Sequence, residues 1–148
     1  MANGDVSLDS AKKLYGVVVG DPGASEHERK SLKKQRLQNA TAPFAPAKKL
    51  EGKERLRATE SLAVRGANWC CAKCAADLGP MKGNYKEHCA RSDRAIQASN
   101  PLVGDPKRFI DPLPQFRQFC CPGCGLAIEN EIAIESDPPL KDVELAVR

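Results

Sequence analysis

The chain has 148 residues, of which 41% are hydrophobic and 5% aromatic, and 11 Pro and 11 Gly interrupt it. This composition argues against a large continuous core, and no stretch approaches the ~20 apolar residues that a membrane span needs. The net charge of +4 is uneven, because residues 1–68 carry 13 Lys or Arg against 8 Asp or Glu, whereas residues 69–148 carry 10 against 11. The cysteine-bearing half is therefore close to neutral.

The N-terminal segment predicts a short strand. Residues 14–19, Leu-Tyr-Gly-Val-Val-Val, end in three β-branched residues and are followed by the turn formers Gly20-Asp21-Pro22-Gly23. A lone strand needs a partner, and two partners fit equally well: another chain, by strand addition, or a strand in the C-terminal half.

A basic helix is predicted from Ser25, with Ser25 and Glu28 as a capping box. Its apolar face is sparse, so it is either a solvated helix or a helix that docks on an acidic partner surface. The Pro- and Ala-rich residues 39–47 predict an extended linker. A second helix, only loosely periodic, is predicted over residues 48–64.

Two pairs of cysteines, which we call the first hook (Cys71 and Cys74) and the second hook (Cys121 and Cys124), dominate the C-terminal half. In each hook the two thiols are spaced so that both can reach one tetrahedral ion, which predicts a structural zinc site. A redox dithiol would occur once within a full α/β domain, and a disulfide framework needs an oxidising compartment. Iron–sulfur ligation by the same four thiolates stays open.

Four thiolates close a tetrahedral coordination sphere, so the predicted role of the ion is structural, and the sequence offers no catalytic set. Cys70 and Cys120, next to the hooks, are interpreted as small buried side chains. His88 and Cys89 are the main rival ligands. The reduced cysteines, with no export signal in the sequence, predict a cytoplasmic protein.

The remaining C-terminal residues predict structure around the hooks. Trp69 is interpreted as a cover for the metal site or a core anchor, with an interface anchor as the alternative. A turn-rich loop is expected over residues 99–107. Residues 126–135 alternate apolar and acidic side chains, which predicts a strand. The tail, with Leu140, Val143, Leu145 and Val147, is expected to pack on a neighbour.

The sequence thus predicts a small metal-stapled α+β fold. Residues 1–67 would form an extended, partly helical arm that docks on partner subunits, and residues 68–148 a zinc-ribbon-like module. The runner-up interpretation is a nucleic-acid-binding zinc ribbon that uses Lys30, Lys33, Lys34 and Arg36. The acidic residues on the predicted strand make nucleic acid the less favoured partner.

The segment FCCPGCGLAIENEIAIESDPPLKDVEL, residues 119–145, resembles the C-terminal part of the small zinc-containing subunits of acetone and acetophenone carboxylases. Asn68-Trp69 and the first hook fit the same pattern. A weaker likeness covers residues 5–19, DVSLDSAKKLYGVVV, which are similar to the C-terminal tails of large hydantoinase-type subunits of the same enzyme group.

This resemblance implies a subunit of a large cytoplasmic, biotin-independent complex that uses ATP, a divalent metal and bicarbonate to carboxylate a ketone. ATP and Mg²⁺ or Mn²⁺ would bind to the large hydantoinase- or carboxylase-type subunits, where catalysis would reside. The long N-terminal arm and the tail favour the beta-type subunit of the acetophenone enzyme, which forms benzoylacetate.

Overall fold

The N-terminal segment is helical in the computed structural model, which describes residues 6–98, 104–108, 111 and 113–145. Helix α1 spans Leu8–Tyr15 and helix α2 spans Pro22–Gln38. The Ser7 hydroxyl accepts a hydrogen bond from the Ser10 amide at the start of α1, and Gly16 ends it in the left-handed conformation. The strand predicted over residues 14–19 is therefore wrong, because local capping provides partners that a lone strand lacks.

The predicted basic helix is confirmed, but it begins earlier than Ser25. Asp21 caps its N-terminus by accepting a hydrogen bond from the Ala24 amide, and Pro22 occupies the first turn. Ser25 lies buried inside the helix, where its hydroxyl bonds the backbone of Val18 and Asp21. This serine holds the loop between the helices instead of opening α2.

The second predicted helix, over residues 48–64, is wrong, because this segment forms strands β1 (Glu54–Arg57) and β2 (Leu62–Arg65). These pair with β3 (Asn68–Cys71) and β4 (Asp77–Pro80) in an antiparallel sheet of order β1-β2-β3-β4. Pairing with β3 buries Leu62, Ala63 and Val64, and so overrides the weak helical pattern. The predicted boundary between residues 67 and 68 falls in the turn of the β2–β3 hairpin.

A second antiparallel sheet follows the first, with β6 in the centre. Its strands are β5 (Ala90–Ala95), β6 (Pro114–Cys120) and β7 (Ala127–Ile134), in the order β5-β6-β7. Short 3-10 turns occupy Tyr85–His88, Ile96–Ala98 and Pro106–Arg108. Residues 99–103 of the predicted turn-rich loop lie outside the described residues. Two helices and two antiparallel sheets make this a small α+β fold.

The core lies between the two sheets. Trp69 is fully buried, and its ring meets the Tyr85 ring edge to face, with 6.1 Å between the centroids. Trp69 is therefore a core anchor, and its alternative role as an interface anchor is wrong. The other large buried core residues are Leu62, Val64, Leu78 and Phe119. In the described ranges, 6–98, 104–108, 111 and 113–145, no helix is long and apolar enough to cross a membrane.

Strand β7 confirms the predicted strand, but part of its acidic face is the buried one. The Glu131 side chain is only 9% exposed, whereas Ile132 on the other face is 61% exposed. Glu131 belongs to a group of buried and half-buried charges that we call the charged cluster: Lys86, Arg117, Glu131 and Asp142. Glu131 can be buried because its two cationic partners, Lys86 and Arg117, offset the cost of removing its charge from water.

Arg117 joins the charged cluster through Glu131 and ties it to the backbone. It is 1% exposed and donates hydrogen bonds to the carbonyl oxygens of Ile134, Glu135 and Asp137 at 2.7–3.0 Å. Its Nη1 also lies 3.5 Å from a Glu131 carboxylate oxygen. Arg117 therefore fixes the end of β7 and the start of the C-terminal tail.

The described part of the tail packs on its own chain. Val143 and Leu145 contact the core, and Asp142 accepts a hydrogen bond from the Tyr85 hydroxyl at 3.2 Å. Lys86 Nζ lies 3.2 Å from the same carboxylate. Val143 and Leu145 therefore pack within the chain, Leu140 is 65% exposed, and Val147 lies outside the described residues.

Candidate metal centre

The two hooks have the same backbone conformation. In the first, the Ala75 amide donates to the Cys71 carbonyl at 2.9 Å, and in the second the Gly125 amide donates to the Cys121 carbonyl at 2.8 Å. The residue after each hook has a positive φ, 60° at Ala75 and 67° at Gly125. This turn curls the backbone around the two sulfurs of each hook, and it explains why Gly follows the second hook.

The two hooks meet at the junction of the sheets. The first connects β3 to β4, and the second connects β6 to β7. The four sulfur atoms, of Cys71, Cys74, Cys121 and Cys124, all lie within 4.8 Å of one another. The four candidate ligands that the spacing predicts are therefore brought together.

The sulfur positions fit a tetrahedral ion. The Cys71–Cys124 and Cys74–Cys121 Sγ–Sγ distances are 3.8 and 3.5 Å. Four sulfurs at the ~2.3 Å zinc–sulfur bond length, placed at tetrahedral corners, lie about 3.8 Å apart. This cluster could hold a metal ion, and its size and all-sulfur chemistry are consistent with zinc.

Proximity also makes neighbouring sulfurs of the cluster share protons unequally. Hydrogen bonds from the thiols of Cys121 and Cys124 lower the pKa of Cys71. Hydrogen bonds with Cys124 and then with Cys71, together with burial, raise the pKa of Cys121. A cation at the centre would replace these shared protons and balance the crowded sulfur charges.

The three remaining cysteines, Cys70, Cys89 and Cys120, lie apart from this cluster and are buried. The interpretation of Cys70 and Cys120 as small buried side chains is therefore confirmed. Burial raises the pKa of Cys70, Cys89 and Cys120, so each favours the neutral thiol. Cys89 donates its thiol proton to the Tyr85 carbonyl oxygen at 3.4 Å. These thiols pack in the core and are poor candidates for a metal ligand.

His88, the other rival ligand, is exposed and lies against Gly79 instead of the sulfur cluster. A methyl group added at Gly79 would come within 2.2 Å of His88 Nε2. Within the described part of the chain, the four hook cysteines are the group that could hold an ion, and His88 and Cys89 do not belong to it.

Helix α2 rests directly on the second hook. A Cβ atom added at Gly125 would lie 2.2 Å from the Lys33 carbonyl oxygen, so only Gly allows this approach. Arg36 Nη1 also donates to the Gly125 carbonyl oxygen at 3.5 Å. The sequence shows Gly125 directly after the second hook. It carries no signal that α2 lies beside this glycine, because Arg36 and Gly125 are 89 positions apart.

Gly125→Ala is expected to release α2 while the hooks keep their metal. The positive φ alone costs about 1–2 kcal/mol in an L-residue, and the clash with the Lys33 carbonyl adds to it. Hydrogen exchange along α2 and metal content would be measured. Gly66→Ala is the matched control, since Gly66 has a φ of +57° and open space around its Cα. Equal exchange in the two variants would contradict the contact.

Comparison with known proteins identifies the family. Residues 53–148 match the family model described as "Acetone carboxylase gamma subunit". The match starts just before β1 and includes both sheets and both hooks, while the two helices lie outside it. No curated protein matches the chain closely enough to be reported as a relative. The chain belongs to the acetone carboxylase gamma subunit family.

Proposed function

We propose that the chain is a non-catalytic, zinc-binding structural subunit of a multi-subunit, ATP-dependent and biotin-independent ketone carboxylase. Cys71, Cys74, Cys121 and Cys124 would bind the zinc. The observation that carries the proposal is the closed set of four sulfurs at the junction of two sheets, in a chain of this family. Four thiolates leave no coordination position for a substrate, so the zinc holds the two sheets together.

The N-terminal arm supplies a surface for the large subunits. Leu8, Leu14, Tyr15 and Val19 are each more than half exposed, although they lie within 12 residues of one another. Exposed apolar side chains grouped in this way mark an interaction surface. They also lie outside the region that the family model matches, so they are an addition to the shared module.

Helix α2 adds positive charge to this surface. Its two acidic residues are already paired, Glu26 with Lys30 and Glu28 with Lys12. Arg29, Lys33 and Lys34 have no carboxylate partner among the described residues. The occupant that complements the arm is therefore an apolar surface with an acidic rim on a large hydantoinase- or carboxylase-type subunit.

The large subunits would bind ATP and Mg²⁺ or Mn²⁺ and would carry out catalysis. The long N-terminal arm and the tail favour the acetophenone-type reaction, which forms benzoylacetate. We place the complex in the cytoplasm, where the hook thiols would stay reduced.

Co-expression of the chain with the large subunits of its complex tests this function. The wild-type chain is expected to co-purify in a fixed ratio and to support ATP-dependent fixation of labelled bicarbonate onto acetophenone in preference to acetone. A Tyr15→Asp variant is expected to lose the complex, because it places a charge on an apolar surface facing an acidic rim. Leu56→Asp is the control, since Leu56 is exposed on β1, outside helices α1 and α2.

Failure of the zinc-loaded wild-type chain to join the large subunits would overturn the structural-subunit function. Assembly of both variants would instead reject the arm as the contact surface, and leave the zinc module as the contact. A preference for acetone would reject only the substrate.

A further inference from the structure

A groove lies between the two helices and one face of the second sheet. Its volume is about 310 Å³, enough for a small organic molecule. The sheet contributes alternate residues of paired strands, since Ser92 pairs with Gln118 and Arg94 with Phe116. Helices α1 and α2, with the residue that follows α2, line the groove with Lys13, Leu14, Leu32, Gln35, Arg36 and Asn39.

The charges that line this groove are all positive. Lys13, Arg36 and Arg94 line it, and among the described residues no Asp or Glu does. Lys13 is neutralised by Asp9 at 3.0 Å. Arg36 and Arg94 have no carboxylate partner within the described ranges. Two guanidinium groups are therefore left without a counter-charge beside the same groove.

The two arginines line the same groove, although 58 positions separate them in the sequence. Arg94 lies over the Phe116 ring, with 5.1 Å from its Cζ to the ring centroid. Arg36 lines the groove from α2 and donates a hydrogen bond to the carbonyl oxygen of Gly125, directly after the second hook.

Neutral donors and apolar contacts complete the groove. The amides of Gln35, Asn39 and Gln118 can donate to an anion, and Gln118 is held in place by a hydrogen bond to the Asn130 side chain at 3.1 Å. Leu32 and Phe116 provide an apolar wall. Planar guanidinium forks with neutral amides beside them are the usual recognition chemistry of phosphate groups.

We propose that this groove binds a small organic phosphate, with its phosphate between Arg36 and Arg94 and its carbon skeleton against Phe116. The site is separate from the sulfur cluster, and it does not depend on the carboxylase function. Because the groove uses residues of α1, α2 and the second sheet, the ligand would also hold the arm against the module.

Titration of the full, zinc-loaded chain with inorganic phosphate at constant ionic strength tests the proposal. Nuclear magnetic resonance is expected to show saturable shifts at the Arg36 and Arg94 side-chain NH groups and at the Gln118 amide. Arg94→Gln is expected to weaken binding by at least about tenfold, from the loss of a charged hydrogen bond. Arg55→Gln is the matched control, because Arg55 is exposed on β1 and carries the same charge.

Unsaturable shifts spread over all the basic residues, or equal weakening by the two variants, would overturn the site. Equally tight binding of acetate would overturn the choice of phosphate. Should Arg94→Gln fail to fold, Arg36→Gln provides the second test, with zinc content and helical circular dichroism as checks on folding.

Discussion

Replacement of Cys121 with Ser is expected to abolish tight zinc binding and to unfold the junction between the two sheets. Cys121 is fully buried and its sulfur lies 3.5 Å from that of Cys74. Structural zinc contributes roughly 10–16 kcal/mol in small modules, which matches or exceeds the ~5–15 kcal/mol stability of an ordinary domain. Loss of one thiolate therefore removes most of the free energy of folding.

Zinc content per chain and thermal melting by circular dichroism measure this effect. Cys89→Ala is the control: Cys89 is also buried, but its thiol bonds the Tyr85 carbonyl, so the variant should keep its zinc and lose only about 1 kcal/mol. A strong chelator should melt the wild-type chain in the same way as Cys121→Ser. Full zinc content in Cys121→Ser, or an unchanged melt after chelation, would contradict the ligand set.

Arg117→Met is expected to cost about 3–5 kcal/mol of unfolding free energy, because it removes one partner of a buried charged group. The change leaves Glu131 with Lys86 as its remaining cation, and frees the carbonyl oxygens of Ile134, Glu135 and Asp137. The C-terminal tail should then exchange its amide hydrogens faster than the two sheets do.

Urea unfolding of the zinc-loaded chain, together with hydrogen exchange over residues 138–145, measures this loss. Arg57→Met is the matched control. Arg57 makes a two-point ion pair with Glu54 on the surface, at 2.7 and 2.8 Å, and exposed pairs contribute about 1 kcal/mol or less. Similar losses in the two variants would show that burial of Arg117 adds nothing to its contribution.

The cluster of four cysteines is the feature that the sequence predicts best. The two thiols of each hook are separated by two residues, so one turn decides their geometry. The predicted strand after the second hook also holds, because alternation along β7 is a local pattern. The structure also shows a close contact between Gly125 and Lys33 of α2, which no local sequence pattern could predict.

The errors fall where distant partners decide the structure. The loose spacing of Leu62 and Val64 allows a helix, but pairing with Cys71 and Trp69 makes this segment a strand. Leu14 and Tyr15 belong to a segment that predicts a strand, yet capping at Ser7 and Gly16 makes them the end of helix α1. Intrinsic propensity is weak in both segments, so tertiary pairing or caps determine the outcome.

The charged cluster has no signal in the sequence. Lys86 and Arg117 are residue types that usually lie on the surface. Their carboxylate partner Glu131 lies 45 and 14 positions away in the chain. Periodicity cannot reveal such pairs, because each depends on how the sheet and the tail are placed.

The separation of the two hooks has a consequence for synthesis of the chain. The first hook leaves the ribosome 46 residues before the second begins, several seconds at typical rates of about 5–20 residues per second. During that interval it offers two sulfurs, too few to retain an ion tightly. In the proposed zinc site, capture of the ion would therefore wait for Cys124, and a chain that had taken up its ion would already have brought both sheets together.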